Sequence, residues 1–174
     1  MKKLVFTLLL ISYLTYSQVE KKLGEFNKIT SFDKIDVILI KGNENKIILH
    51  GDKANEVEVV NKNGELKIKM PFGSLLKGDN ISATLYFTNL EALEANEGSR
   101  IATQETIEAL NFGIIVKEGS EIKVKLNVEK LTIKGSAGSK ISIEGFTSNQ
   151  DILLSSGAIF KGDRLISKQS VITV

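Results

Sequence analysis

Side chains able to do chemistry are few in this sequence and poorly arranged for it. His50 is the single histidine, so a Ser-His-Asp or Cys-His relay has one place to form, and its neighbours Leu49 and Gly51 supply no nucleophile. One imidazole cannot make a histidine-rich metal site. Cysteine is absent, which removes thiolate zinc ligands, thiol chemistry and disulfides. Asp33, Asp36, Asp52, Asp79, Asp151 and Asp163 are scattered and could supply no more than an accidental ion site, and the Gly-Gly-x-Gly-x-Asp calcium corner does not occur. The expectation is no catalytic residue, no metal and no cofactor.

Surface recognition leaves weaker traces. Lys117, Lys123, Lys125, Lys130, Lys134 and Lys140 suggest a basic stripe for anionic glycans, but Glu118, Glu121, Glu129 and Glu144 are interleaved, and a mixed solvated face is the simpler reading. Phe112, Phe146 and Phe160 recur as a sugar-stacking ladder would, although stacking inside a core accounts for them better. Arg100 and Arg164 are the only arginines, and the repeat spacing sets neither beside a carboxylate pair.

The N-terminus reads as an address. Lys2 and Lys3, the apolar run Leu4 to Leu14 and the residues Thr15, Tyr16 and Ser17 have the three-part layout of a secretory signal peptide over residues 1–17, with cleavage expected after Ser17. The run is too short to cross a hydrocarbon core of roughly 30 Å, and no later stretch is apolar enough to span. Lys2 and Lys3 account for the net charge of +2 and leave 21 basic and 21 acidic side chains in the remainder. That balance argues against a nucleic-acid binder, whose footprint is a basic patch. With no cysteine there is also no lipid-bearing residue of the bacterial lipoprotein kind. Residues 18–174 suffice for one domain with a substantial core.

What must position any site is a set of strands. Apolar and polar residues alternate in Ile35-Asp36-Val37, Leu66-Lys67-Ile68-Lys69-Met70, Ile122-Lys123-Val124-Lys125-Leu126 and Ile141-Ser142-Ile143, as half-buried strands require. A two-turn helix over Thr103 to Leu110 competes with a strand there. Asn63-Gly64, between Val57–Val60 and Leu66–Ile68, is a hairpin signal, so residues 24 to 88 are expected to include antiparallel pairs.

The second half repeats itself. Leu93 to Ile101, Ile114 to Ile122, Leu131 to Ile141 and Ile152 to Phe160 each carry a glycine followed by a small residue, and the marker glycines 98, 119, 138 and 157 are 21, 19 and 19 residues apart. In this alignment the third copy has two extra residues before Gly138. A period near twenty predicts one coil per repeat, in a short right-handed parallel β-helix. Ile101, Ile122, Ile141 and Phe160 should then form one inward stack, with Val116, Ile133 and Leu154 in a second around Ala95. Ser99, Ser120 and Ser139 should lie over one another and exchange hydroxyl hydrogen bonds. An antiparallel β-sandwich is the competing fold. Polysaccharide-cleaving β-helices place acids and bases under long loops, for which twenty-residue coils leave almost no room.

The signal peptide, the opening strand Phe32 to Val37, the strand Lys46 to Asp52, the segment Gly64 to Ile68 and the repeated Gly-Ser corners together resemble the bacterial auto-transporter adhesin head GIN domain family, DUF2807. The resemblance covers nearly all of the chain after Ser17. It implies an exported protein of the Bacteroidetes group with a right-handed β-helix and no catalytic residues. Two departures stand out: the corners continue with Arg, Glu or Lys where the family favours Gly-Ser-Gly-Asp, and Val174 falls in mid-repeat. The expected function is a non-catalytic, exported surface or periplasmic module that binds a glycan or protein. The alternatives are a self-assembling envelope element, joined through the apolar last strand Val171 to Val174, and a polysaccharide-acting enzyme.

Overall fold

A computed structural model describes residues 18–174; the expected signal peptide, 1–17, lies outside the described residues. Twelve strands form: β1 (Gln18–Lys22), β2 (Lys28–Ser31), β3 (Asp36–Lys41), β4 (Lys46–His50), β5 (Glu58–Lys62), β6 (Glu65–Lys69), β7 (Ser82–Phe87), β8 (Ala92–Ala95), β9 (Arg100–Val116), β10 (Glu121–Gly135), β11 (Lys140–Leu154) and β12 (Ile159–Thr173). They build a right-handed parallel β-helix of about 4 turns with antiparallel pairs in its N-terminal part. From β8 onward every neighbouring pair runs parallel, which a sandwich does not allow.

Each long strand serves two walls. In β10, Ile122, Val124, Leu126 and Val128 point inward; the polar pair Glu129-Lys130 then resets the alternation, and Leu131 and Ile133 point inward on the other wall. One wall runs β5-β6-β2-β8 and continues through the second halves of β9 to β12; the other runs β1-β4-β7-β3 and continues through their first halves. The inward side chains form one core, each fully buried aliphatic contributing about 1.5–3 kcal/mol.

The corners share one backbone shape. Glu97-Gly98, Glu118-Gly119, Ala137-Gly138 and Ser156-Gly157 all have positive φ at both residues, and glycine adopts that region without the Cβ penalty. Corner amides also stack the coils: the Gly98 N–H donates to the Glu118 carbonyl at 3.0 Å, Gly119 to Ala137 at 2.9 Å and Gly138 to Ser156 at 3.0 Å. A further corner, Asp33-Lys34, has the same geometry with φ of 60° and 64° and no glycine to announce it.

The first inward stack is as expected: Ile101, Ile122, Ile141 and Phe160 are register partners, and Val37 extends the row. The second needs correction. Ala95, Val116, Gly135 and Leu154 share a row, while Ile133 lies two residues away with Leu93, Ile114 and Ile152. The third repeat therefore has no extra residues; Gly135 occupies an inward position in it. Ser99, Ser120 and Ser139 are all fully buried, but they do not bond to one another. The Ser99 hydroxyl donates to the Ser31 carbonyl at 3.0 Å, and the Ser120 oxygen accepts from the Gly98 N–H at 3.0 Å.

Thr103 to Leu110 is strand, part of β9, and the 21-residue spacing arises there. Ala102 pairs with Lys123 and Thr106 with Lys125, so three residues oppose one in a bulge, with the Glu105 N–H turned onto the Thr103 hydroxyl at 3.1 Å.

The N-terminal half is wound out of sequence order. The β2-β3 coil lies between the β6-β7 coil and the β8-β9 coil, so the chain starts inside the stack and returns past itself. The Asn63-Gly64 hairpin joins β5 to β6 as expected, and β4 runs antiparallel to both β1 and β7. These antiparallel strands pair the edges that β6 and β7 would otherwise expose at this end.

Candidate binding surface

On the outer face of the β1-β4-β7-β3 wall, His50 stands across from Ser82, and Ser82 across from Asp36. Serine is in the middle of this row, where a relay needs the imidazole. Asp36 is also engaged elsewhere: Arg100 Nε donates to Oδ1 at 2.7 Å and Nη2 to Oδ2 at 2.6 Å. Arg100 lies between Asp36 and Glu121 in register, and Arg164 is bonded to Glu144. The arginines thus do meet carboxylates, on neighbouring coils. Asp36 is 64 residues from Arg100, beyond any repeat offset.

The remaining aspartates disperse. Asp52 and Asp79 share a recess of about 220 Å³ with Lys53 and Lys77, and Asp151 lies opposite Thr132. Asp163 falls in a one-residue irregularity of β12. Among the described residues no group of three His, Cys, Asp or Glu side chains is placed to hold a metal ion. The lysines do not make one stripe. Lys123 and Lys125 project from the first half of β10, Lys130 and Lys134 from its second half on the other wall, and Lys117 pairs with Glu94 at 3.1 Å. The phenylalanines fall in three different rows: Phe112 and Phe160 face the core, and Phe146 lies beneath the Lys168 ammonium at 5.6 Å.

The other wall carries a network of charges across four coils. Lys28 contacts Glu65 at 3.0 Å and Glu94 at 2.8 Å, Lys67 contacts Glu65 at 3.3 Å, and the Thr30 hydroxyl donates to Glu65 at 2.7 Å. The Thr30 hydroxyl, then Lys28 and Lys67, hold the Glu65 carboxyl down to about 2 despite its partial burial. Burial pushes Glu94 the other way, but Lys28 and Lys117 outweigh it and its carboxyl also falls below the ordinary range.

One segment missed by sequence reasoning is residues 70–81. The equivalent corner of each other coil, from the β2–β3 turn to the β11–β12 turn, takes four residues; this one takes twelve and contains the uncharged run Pro71 to Leu76. Asp33, almost completely buried, holds it: its carboxylate accepts from the Met70 N–H at 2.9 Å and the Leu76 N–H at 2.8 Å, and its carbonyl from the Gly78 N–H at 3.0 Å. So held, the loop exposes Phe72 at 92%, Leu75 at 48% and Leu76 at 49%. Between it and the neighbouring corners is a notch of about 520 Å³ lined by Lys34, Leu75, Leu76, Glu97, Gly98 and Glu118. Burial, the nearby Asp33 carboxylate and Glu118 raise the Glu97 carboxyl above its ordinary value, against the pull of the Asp33 N–H.

A family model described as "Putative auto-transporter adhesin, head GIN domain", DUF2807, matches residues 25–174. A crystal structure of a "putative adhesin" from Bacteroides fragilis superposes with a TM-score of 0.84 at 13% identity, over 92% of this chain and 76% of that one. A "putative adhesin" from Parabacteroides merdae gives 0.68 at 13% identity, over 90% and 76%. A "putative lipid binding protein" from Parabacteroides distasonis gives 0.63 at 12%, over 90% and 77%. No curated protein matches the sequence.

Proposed function

Because the chain belongs to the DUF2807 family of auto-transporter adhesin head GIN domains, we propose that it is an exported, non-catalytic binding module of the adhesion type. Residues 1–17 direct export and are removed after Ser17, and residues 18–174 act as one domain in the periplasm or at the cell surface. The observation that carries this reading is the family match across residues 25–174, on a β-helix whose outward charges bond to one another across coils. Such a surface offers many contacts to a large partner, while the Ser82, His50 and Asp36 row lacks the order that a hydrolytic relay needs.

The test is an array of glycans and cell-envelope fractions probed with the purified protein, against a control protein of equal charge. Binding above the control supports the reading; a response equal to the control removes it. Mass measurement of the exported protein checks the cleavage after Ser17.

A second reading is favoured by β12. It pairs with β11 on one side, and Ile166, Val171 and Ile172 are 69%, 62% and 56% exposed. A strand that exposes apolar side chains and has no strand beyond it among the described residues templates pairing with another chain, and this reading has copies of the protein associate through β12.

A further inference from the structure

We propose that the notch between the 70–81 loop and the adjoining corners is the site at which the protein grips a partner, and that the occupant is a protein segment carrying lysine or arginine next to an aliphatic or aromatic side chain. The inference rests on the adhesion reading and names the partner's chemistry.

Three observations converge on this place. First, the loop is built, not merely long. A buried carboxylate held by two backbone N–H groups is costly to assemble, and at Asp33 it pins a loop that turns three large apolar side chains outward. A loop serving only to join β6 to β7 needs no such tip, since four residues make the same connection in the other coils.

Second, the corners stack like charges. Glu97 and Glu118 occupy equivalent positions in adjacent coils, with φ of 56° and 55°, joined by the bond from Gly98 to Glu118 at 3.0 Å. Neighbouring strands lie about 4.8 Å apart, so the two acidic side chains start from adjacent positions on one edge, and like charges so placed repel, with the Glu118 charge among those that raise the Glu97 carboxyl. Asp33 is the next member of that row. Lys34 is the one base among the six lining residues, and its stem lies over Gly98, where an added Cβ would come within 3.3 Å of Lys34 Cγ.

Third, apolar and acidic surfaces meet in one recess. Leu75 and Leu76 from the loop and Glu97 and Glu118 from the stacked corners line it together. A cation entering beside the carboxylates relieves their repulsion while its apolar neighbour covers the leucines. An acidic segment meets only the repulsion, and an uncharged one only the leucines.

The experiment uses the purified protein, labelled with nitrogen-15, and two amidated peptides, one alternating lysine and leucine and the other glutamate and leucine. The basic peptide is expected to shift the amide signals of Leu76, Gly98 and Gly119, with affinity reduced about tenfold in the Glu97→Gln/Glu118→Gln double variant and in Leu75→Ser/Leu76→Ser. Equal binding of the acidic peptide, shifts spread over the whole surface, or indifference to the carboxylate variant overturns the inference. Phosphatidylcholine vesicles form a third arm: binding that depends on Phe72 and ignores Glu97 and Glu118 assigns the loop to a membrane surface instead. Envelope material that binds the wild type and the loop variants equally sinks this inference and leaves the adhesion reading standing. Envelope material that binds neither sinks the adhesion reading itself.

Discussion

Ile141 fills the space that a side chain at Gly135 would need: a Cβ at Gly135 would lie 2.7 Å from Ile141 Cδ1, with Leu154 Cδ2 at 3.0 Å and Ala158 Cβ at 3.1 Å. Its register partners Val116 and Leu154 carry full side chains, so this row alternates large and small to fit its neighbours. Gly135→Val, which copies the residue one coil earlier, is expected to destabilise by about 1–3 kcal/mol through overpacking. Urea denaturation monitored by far-ultraviolet circular dichroism measures it, and a stability equal to wild type would show that the row has spare room.

Asp33→Ala should act on one loop more than on the whole. It leaves the buried Met70 N–H and the part-buried Leu76 N–H without their acceptor, at about 1–3 kcal/mol for the buried donor and less for the other, which water can reach. Limited proteolysis should then cut between residues 71 and 78 before any other site. Asp33→Asn keeps one acceptor oxygen and tolerates the positive φ, so its loop should be cut more slowly than in the alanine variant.

The coil was legible where glycine and alternation coincide. Gly98, Gly119, Gly138 and Gly157 marked four corners because a positive φ selects glycine, and the Ile101 to Phe160 row follows from counting outward from them. Asn63-Gly64 marked its hairpin for the same reason. The Asp33-Lys34 corner was hidden because its neighbours, and not its residue types, hold it in that shape. Gly135 misled in the opposite direction: a glycine on an inward row reads as an interruption, and it displaced Ile133 by two positions. The pair of Asp36 and Arg100 was hidden too, because the two are separated by the whole excursion through β4 to β8. Coil order in space follows which edges need covering, which no local pattern records.

Acid should weaken the fold through the Glu65 and Glu94 network. Both carboxyls lie below their ordinary range in the folded state, Glu65 at about 2 against 4.5. Their contribution is therefore present above the unfolded value and lost as pH falls through the folded one. Thermal midpoints should decline between about pH 4.5 and pH 2, and Glu65→Gln should flatten that decline. Burial lowers Lys28, but Glu94 and Glu65 outweigh it and raise it above 10.5, so its share persists to high pH and is lost only as pH rises past that value. An acid limb unchanged by Glu65→Gln would place the sensitivity elsewhere.

Opening β12 to charge tests the second functional reading. Ile172→Lys and Val171→Lys place an ammonium on exposed positions of the terminal strand, next to the edge that has no strand beyond it among the described residues. If copies pair there, light scattering should show a concentration-dependent assembly in the wild type that dissociates in either variant. A wild type that stays monomeric at every concentration removes self-association.

Two glycines separate conformational cost from steric cost. Gly119 has φ of +70° and nothing within 4 Å of an added Cβ, so Gly119→Ala should lose only the left-handed penalty of about 1–2 kcal/mol. Gly145 has φ of +114°, and its added Cβ would lie 2.0 Å from the carbonyl oxygen of Leu126, its register partner on β10. That oxygen is backbone and cannot rotate away, so Gly145→Ala must part the two strands where they pair. Its loss of stability should exceed that of Gly119→Ala by at least the roughly 1–3 kcal/mol of a disrupted buried hydrogen bond. Hydrogen exchange should show the excess as faster exchange at the amides flanking Leu126 and Gly145, with the corner amides unchanged. Equal losses in the two variants would mean that the strands have slack at the bend, contrary to the close approach seen there.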